Sequence, residues 1–166
     1  MTGTPMQLIR VLSESPADKK WTLEEHSEKR SLNANAYYWK ITSLLAEKLG
    51  LTTSRLHNTF LRDCGYVDRL NGDIVTVFLP DDDETENIVM ESTTYHLYPT
   101  SHVTEGKKGN LRCYAVLRGS HTFNRKEMSR LIDLLVTEAK QQGIETLPPA
   151  ELERMLDRWG NRKQTQ

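Results

Sequence analysis

Apolar residues recur at helical spacing between residues 31 and 49. They are Leu32, Trp39, Ile41, Leu44, Leu45 and Leu49. This spacing predicts a helix that begins at Ser31 or Asn33, both good capping residues, and runs to about Leu49. Gly50 follows at the position where a left-handed residue commonly ends a helix.

Three further stretches of the amino-terminal half have weaker patterns. A second helix is expected to begin after Thr52 or Thr53 and to end near Gly65, with apolar residues at positions 56, 60 and 61. Residues 6–12 fit a short strand or the first turn of a helix. Residues 21–30 alternate as a strand would, and they lead directly into the first helix.

The middle of the chain has the period of two that strands require. Residues 72–80 are rich in β-branched and aromatic residues and stop at a proline. Two further strands are expected at 92–103 and 110–120, joined by the glycine-containing turn 104–109. The residues that would share one face of the last strand are Cys113, Ala115 and Leu117.

Two helices are expected near the carboxyl end. The first opens with Asn124 and Glu127 at the spacing of a capping box, carries apolar residues at positions 128, 131, 132, 134, 135 and 139, and ends at Gly143. The second is short, with Pro149 suited to its first turn.

This order of elements predicts one α+β domain over residues 1–160 and a polar tail at 161–166. The expected architecture is a small antiparallel sheet with helices from both ends of the chain packed around it. The chain of 166 residues is 37% hydrophobic and 27% charged, which indicates a small core or one completed by a partner subunit. A homodimer is therefore expected.

Composition also bounds the compartment. No stretch approaches the roughly 18 apolar residues of a membrane span, and the amino end lacks the basic start and apolar run of a secretory signal. Cys64 and Cys113 are isolated, without the CxxC spacing of a zinc ribbon. We expect a cytoplasmic protein with reduced thiols and no contact with a membrane.

Charge is unevenly distributed along the chain. The net charge of −1 by itself argues against a nucleic-acid binder, but five of the acids lie within residues 81–86, so the remainder carries +4. Residues 101–130 carry a local +5, and patches rather than totals set local fields. Candidate phosphate-binding residues are Arg112, Arg118, Arg125, Lys126 and Arg130, which would equally form an ordinary solvated face.

The stretch KRSLNANAYYWK, residues 29–40, is the most unusual in composition. It combines cations that neutralise phosphates, aromatic rings that stack on unpaired bases, and amides that bond base edges. Its candidate DNA-binding residues are Arg30, Asn35 and Lys40. Its expected structural residues are Ser31, Leu32, Asn33 and Trp39. Large aromatic residues at helical spacing are usually buried, so Trp39 is expected in the core or against a second subunit.

Neither a metal site nor a catalytic centre is evident. The acids of residues 81–86 lack the spacing of a calcium loop and are expected to form a solvated loop. The histidines include no HxxxH or HxH pair, although His96 and His102 might face each other across strand-like segments. Ser120 and His121 are adjacent, and neighbouring side chains point apart in a strand. There is no GxSxG, phosphate loop or dinucleotide fingerprint, so no cofactor and no metal are expected, and an enzyme is disfavoured.

The stretch at residues 29–40 resembles the NinB/Orf family of phage recombination proteins. Members carry an extended segment followed by Arg-Ser-Leu, two residues, Asn, three residues and Trp, which here falls on Arg30, Ser31, Leu32, Asn35 and Trp39. The carboxyl end is similar as well, with Gly143 before a last helix that closes on Arg158-Trp159-Gly160.

The resemblance implies a non-enzymatic recombination mediator. Such a protein would be a homodimer that binds single-stranded or gapped DNA, interacts with the host single-strand-binding protein and helps a strand-annealing recombinase to load. Two alternatives remain open. One is a metal-dependent nuclease or junction resolvase that uses carboxylates among Asp63, Asp68, Asp73 and residues 81–83. The other is a phage-encoded antagonist of a host defence nuclease, which would act by DNA mimicry through the acidic run.

Overall fold

The computed structural model of the protein describes residues 4–16, 18, 20 and 32–157. Within these ranges the helices are α1 (Pro5–Ser13), α2 (Leu32–Leu49), α3 (Thr53–Cys64), α4 (Asp83–Glu91), α5 (Arg125–Gln141) and α6 (Pro149–Asp157). The strands are β1 (Arg69–Leu70), β2 (Asp73–Ile74), β3 (Thr76–Pro80), β4 (His96–Gly106) and β5 (Gly109–Leu117). Helices from both ends of the chain accompany small antiparallel sheets, which confirms the predicted α+β class.

The predicted helix ends are those the capping residues dictate. The Thr52 side chain caps α3 by accepting a hydrogen bond from the Arg55 amide at 3.0 Å. Asn124 and Glu127 form the predicted capping box at the start of α5. Gly65 ends α3 with a φ of 68°, in the left-handed region that favours glycine.

The main sheet has the order β3-β5-β4, with antiparallel pairing throughout. The strand predicted at 72–80 is divided into β2 and β3 at Val75, because the Val75 amide bonds to the Asp68 carbonyl while its own carbonyl accepts from the Val116 amide. β1 and β2 form a separate two-stranded hairpin. The strand predicted at 92–103 begins only at His96 and runs on to Gly106.

Two apolar clusters stabilise these elements. The larger one lies between α2, α3 and α5, and its fully buried side chains include Tyr38, Leu45, Met128, Leu131 and Leu135. The smaller one joins α4 to one face of the sheet through Val89, Leu97 and Tyr114. Leu117 belongs to the larger cluster, so β5 connects the two.

The acidic run at residues 81–86 is not the solvated loop that was expected. Asp82 is the N-cap of α4 and accepts a hydrogen bond from the Thr85 amide at 2.7 Å. Acidic residues occupy the first turn of α4, where they interact favourably with the positive end of the helix dipole. The segment is therefore the start of helix α4 and not a loop.

Only some of the elements predicted for residues 1–31 fall on residues that the structure describes. Residues 6–12 lie within α1, so the helical alternative is the correct one, and none of its residues is buried. The strand predicted at 21–30 lies outside the described residues, as do Arg30, Ser31 and the residues from 158 onward. No described helix is both long and apolar enough to cross a membrane.

Candidate functional site: a histidine-lined cleft

Three histidines from distant parts of the chain line one cleft of about 200 Å³. His57 lies on α3, His96 opens β4, and His121 lies in the 3-10 turn Ser120–Thr122 that follows β5. The rings of His57 and His96 meet edge to face, with their centroids 5.3 Å apart. The cleft therefore lies where two helices, a strand and a turn converge.

His96 is held in one orientation by Asn58. The amide nitrogen of Asn58 donates to the carbonyls of Met90 and Ser92, at 2.8 and 2.9 Å, so its oxygen faces His96. The Asn58 oxygen lies 2.5 Å from Nδ1 of His96. Because that oxygen can only accept, Nδ1 carries the proton and Nε2 is the unprotonated nitrogen of the neutral ring.

The electrostatics of the cleft favour the neutral form of His96. Burial lowers the pKa of His96 below its ordinary value of 6.5, and the nearby charge of His121 lowers it further. His96 therefore favours the neutral form with Nε2 unprotonated.

His57 is anchored by a buried tyrosine. The Tyr38 hydroxyl lies 2.7 Å from Nδ1 of His57, and burial raises the pKa of Tyr38 far above its ordinary value, so the hydroxyl stays protonated. On its other side His57 meets the Trp39 indole, with ring centroids 4.6 Å apart and planes tilted by 46°. Tyr38 and Trp39 thus hold His57 from two sides.

The space for His121 depends on a glycine. A Cβ atom at Gly119 would lie 2.7 Å from Nδ1 of His121 and 3.5 Å from Cδ2 of His96. Gly119 has an ordinary φ of −67°, so glycine is required here for room rather than for backbone conformation. Both imidazoles therefore lie close to residue 119.

The rest of the cleft wall is polar and carries no formal charge. Asn35 and Trp39 of α2 form one rim, one helical turn apart. Hydroxyl groups complete the lining, and they belong to Ser54, Ser92, Thr93 and Ser120. The described lining contains no Asp, Glu, Lys or Arg.

Trp39 lies at the edge of the core rather than within it. It is 36% exposed at the cleft, whereas Tyr38 is fully buried and is the core aromatic of α2. Of the two places expected for Trp39, the second, against another subunit, stays a prediction. Asn35 is half-buried and Lys40 is exposed, while the side chains of Leu32 and Asn33 lie outside the described part.

The predicted basic cluster is divided among several places. Arg112 forms an ion pair with Asp81 at 2.6 Å, and Arg118 forms a two-pronged pair with Glu127 at 2.8 and 3.1 Å. These two arginines are six residues apart along β5, about 20 Å at the usual rise per residue. Arg130 lines a different groove beside Asp63.

The remaining two members of the predicted cluster begin α5. Arg125 is its first residue and is half-buried, and Lys126 is exposed. Two of the five predicted phosphate-binding residues are thus engaged with carboxylates, and the binding of phosphate by the five stays a prediction.

The carboxylates that a metal-dependent nuclease would need are also separated. Asp63 is on α3, Asp73 is in the β1–β2 hairpin, and Asp81 is paired with Arg112. Among residues 4–16, 18, 20 and 32–157, no group of three or more His, Cys, Asp or Glu side chains is arranged to hold a metal ion.

Sequence reasoning missed the histidine cleft because its members are far apart in the chain. His96 and His102 do not face each other: both lie on β4, and His102 contacts Phe78 instead. Ser120 and His121 lie in a 3-10 turn rather than a strand, so both reach the cleft. The usable signal was His57 and Asn58, two polar residues on the apolar face of α3.

No protein-family model matches this chain, and no curated protein or solved structure is significantly similar to it. Function must therefore be argued from the cleft and from the short resemblance in residues 30–39.

Proposed function

We propose that this protein is an accessory factor of phage or prophage DNA recombination that binds single-stranded or gapped DNA. In this proposal an unpaired base binds in the histidine cleft. One observation carries the proposal. Asn35 and Trp39, two residues of the NinB/Orf-like motif, lie on the rim of the same cleft. The motif residues thus share a surface that has the chemistry to hold a base.

An unpaired base suits this cleft better than a duplex does. The exposed Trp39 and the half-buried His96 ring offer aromatic surfaces, and stacking on such surfaces contributes about 1–3 kcal/mol per base. The Asn35 amide and the serine hydroxyls can bond to base edges, which are available only in an unpaired strand.

Electrostatic attraction makes a modest contribution in this proposal. Lys40 follows Trp39 and is exposed, while Arg112 and Arg118 are paired with carboxylates. Few phosphate contacts imply a shallow salt dependence, since each contributes a slope of about −0.7 in a plot of log affinity against log salt for single strands. Arg30, which precedes α2, is the further cation proposed to act here.

Assembly into a homodimer belongs to the same proposal. Met6 and Ile9 on α1 are 78% and 62% exposed, and a second copy of the chain would cover this apolar side. The resemblance supports host single-strand-binding protein as the partner. Cys64 and Cys113 are both unpaired and buried, which favours a reducing compartment, the cytoplasm.

The test is titration of a fluorescent single-stranded oligonucleotide at about 20 mM and about 150 mM salt, between which the Debye length falls roughly threefold. Trp39→Ala should weaken binding about 10-fold or more, because it removes the stacking surface. Asn35→Ala should weaken it by a smaller factor.

Tyr98→Ala is the matched control for the tryptophan change. Tyr98 is an aromatic residue of similar exposure, 45%, on β4, and it does not line the cleft. Its replacement should leave binding unchanged. Equal losses in the two variants would move the binding surface to the sheet, and wild-type protein that fails to bind at low salt would refute the proposal.

A further inference from the structure

We propose that the histidine cleft is also a metal-independent acid–base centre that cleaves single-stranded RNA, with His96 as the general base and His121 as the general acid. This inference rests on the proposed function, because it needs a single strand in the cleft. It adds a reaction and a substrate class: a strand that carries ribose 2′-hydroxyl groups.

His96 has the features of a positioned base. Asn58 fixes its ring through Nδ1, and two backbone carbonyls in turn fix Asn58, so the unprotonated Nε2 belongs to a ring that cannot turn over. Its lowered pKa keeps Nε2 free of a proton near neutral pH. A base held by a second group that orients it is the arrangement that proton abstraction requires.

His121 has the features of the complementary acid. It is exposed to solvent, it lines the same cleft, and both its ring and that of His96 lie within 4 Å of the position that a Cβ atom of residue 119 would take. The charge on His121 is itself one cause of the lowered pKa of His96, so His121 is the partner beside the neutral base that is placed to donate a proton.

The reaction needs nothing beyond these two imidazoles and the strand. The ribose 2′-oxygen forms a bond to the adjacent phosphorus while its proton passes to Nε2 of His96. The bond from phosphorus to the 5′-oxygen breaks, and that oxygen takes a proton from His121. The products are a 2′,3′-cyclic phosphate and a 5′-hydroxyl end, and DNA is resistant because it lacks the 2′-hydroxyl.

The groups that face His96 set the expected pH profile. They are His57 from α3, His121 from the turn after β5, Tyr38 from α2 through His57, and Arg62, whose guanidinium bonds to the carbonyl of Leu97. The rate should rise with pH as His96, the base, loses its proton, and this rise should lie below the ordinary histidine pKa of 6.5.

The experiment uses the full-length protein, a labelled single-stranded RNA and excess EDTA. Wild-type protein should release fragments ending in 2′,3′-cyclic phosphate. His96→Gln and His121→Gln should each slow cleavage by at least about 100-fold, the usual contribution of one acid or base. His102→Gln is the matched control: it changes an exposed histidine on the same strand that lies outside the cleft lining, and the rate should not change.

A parallel titration with an all-DNA strand separates this inference from the proposed function. DNA bound but RNA uncut would overturn the cleavage inference and leave binding intact. Cutting that persists at the wild-type rate in both His96→Gln and His121→Gln would also overturn it, since it would come from a contaminant or another site. If the protein neither binds the DNA strand nor cuts the RNA strand, both proposals are refuted.

Discussion

The histidine cleft and the groove beside the acidic run are built from opposite uses of polar side chains. The groove, which we call the acidic groove, is lined by Asp81, Asp82, Asp83, Glu86, Arg112 and Tyr114, among others. Several of its charged side chains stabilise the fold. Asp81 forms an ion pair with Arg112, Asp82 caps α4, and Glu86 forms an ion pair with Arg62 at 2.5 Å. In the cleft the polar partners lie behind the histidines, and the rings themselves line the cavity.

This contrast shows which polar residues were informative. The dense run of acids is conspicuous in the sequence, but Glu86 of this run binds Arg62 of α3 and Tyr114 of β5 and so serves the fold. The three histidines are spread over 65 positions and form no pattern in the sequence, but the tertiary structure brings them together with the groups that orient them. A buried residue that orients an exposed one indicates function more reliably than charge density does.

The largest effect on stability is expected when Tyr38 and Trp39, the neighbouring aromatic residues of α2, are replaced one at a time. Tyr38→Ala should lower the free energy of unfolding by about 3–5 kcal/mol, because it leaves a cavity in the main core. Trp39→Ala should lower it less, by about 2–3 kcal/mol, because Trp39 is 36% exposed and buries only part of its apolar surface. Urea denaturation of both variants measures the difference. A Trp39→Ala protein that is unfolded would mean that the tryptophan supports a core or a subunit contact after all.

A smaller effect should distinguish the support of the cleft from the ion pairs of the groove. Asn58→Ala leaves two backbone carbonyls and the His96 ring without their partner, and we expect a loss of about 2–3 kcal/mol. Glu86→Gln should cost about 1 kcal/mol or less, because Glu86 is 37% exposed and solvent screens its pair with Arg62.

The check is thermal and urea unfolding, with Thr59→Ala on the exposed side of α3 as the control. Thr59 should tolerate the change with almost no loss. If Glu86→Gln proved more damaging than Asn58→Ala, the ion pairs of the acidic groove would be the principal support of this region.

The fold could be predicted further than the site because its signals are local. Capping residues and glycines fixed the ends of α2, α3 and α5, each within a few neighbouring positions. The cleft depends instead on contacts between residues far apart in the chain, such as the rings of His57 and His96, which no local pattern encodes. The sequence also leaves open which aromatic residue of α2 is buried, because Tyr38 and Trp39 fit helical spacing equally well and only packing decides between them.

The smallest effect is expected at the cap of α4, and it tests whether the acidic groove is structural. Asp82→Ala should lower the unfolding midpoint slightly, because the Thr85 amide loses its partner. That hydrogen bond is also the main cause of the lowered pKa of Asp82. The stabilisation is therefore present above the ordinary value of 3.8 and is lost as the pH falls through the lowered pKa of the folded state.

Asp82→Asn separates the cap from the charge. Asparagine retains an oxygen that can accept from the Thr85 amide, so this variant should stay close to the wild type at neutral pH. The difference between wild type and Asp82→Ala should shrink in acid, which unfolding curves at pH 7 and near pH 2.5, about one unit below the ordinary carboxyl range, would show. Neither change should alter binding of a single strand. If Asp82→Ala abolished that binding while the protein stayed folded, the acidic groove, and not the histidine cleft, would be the functional surface.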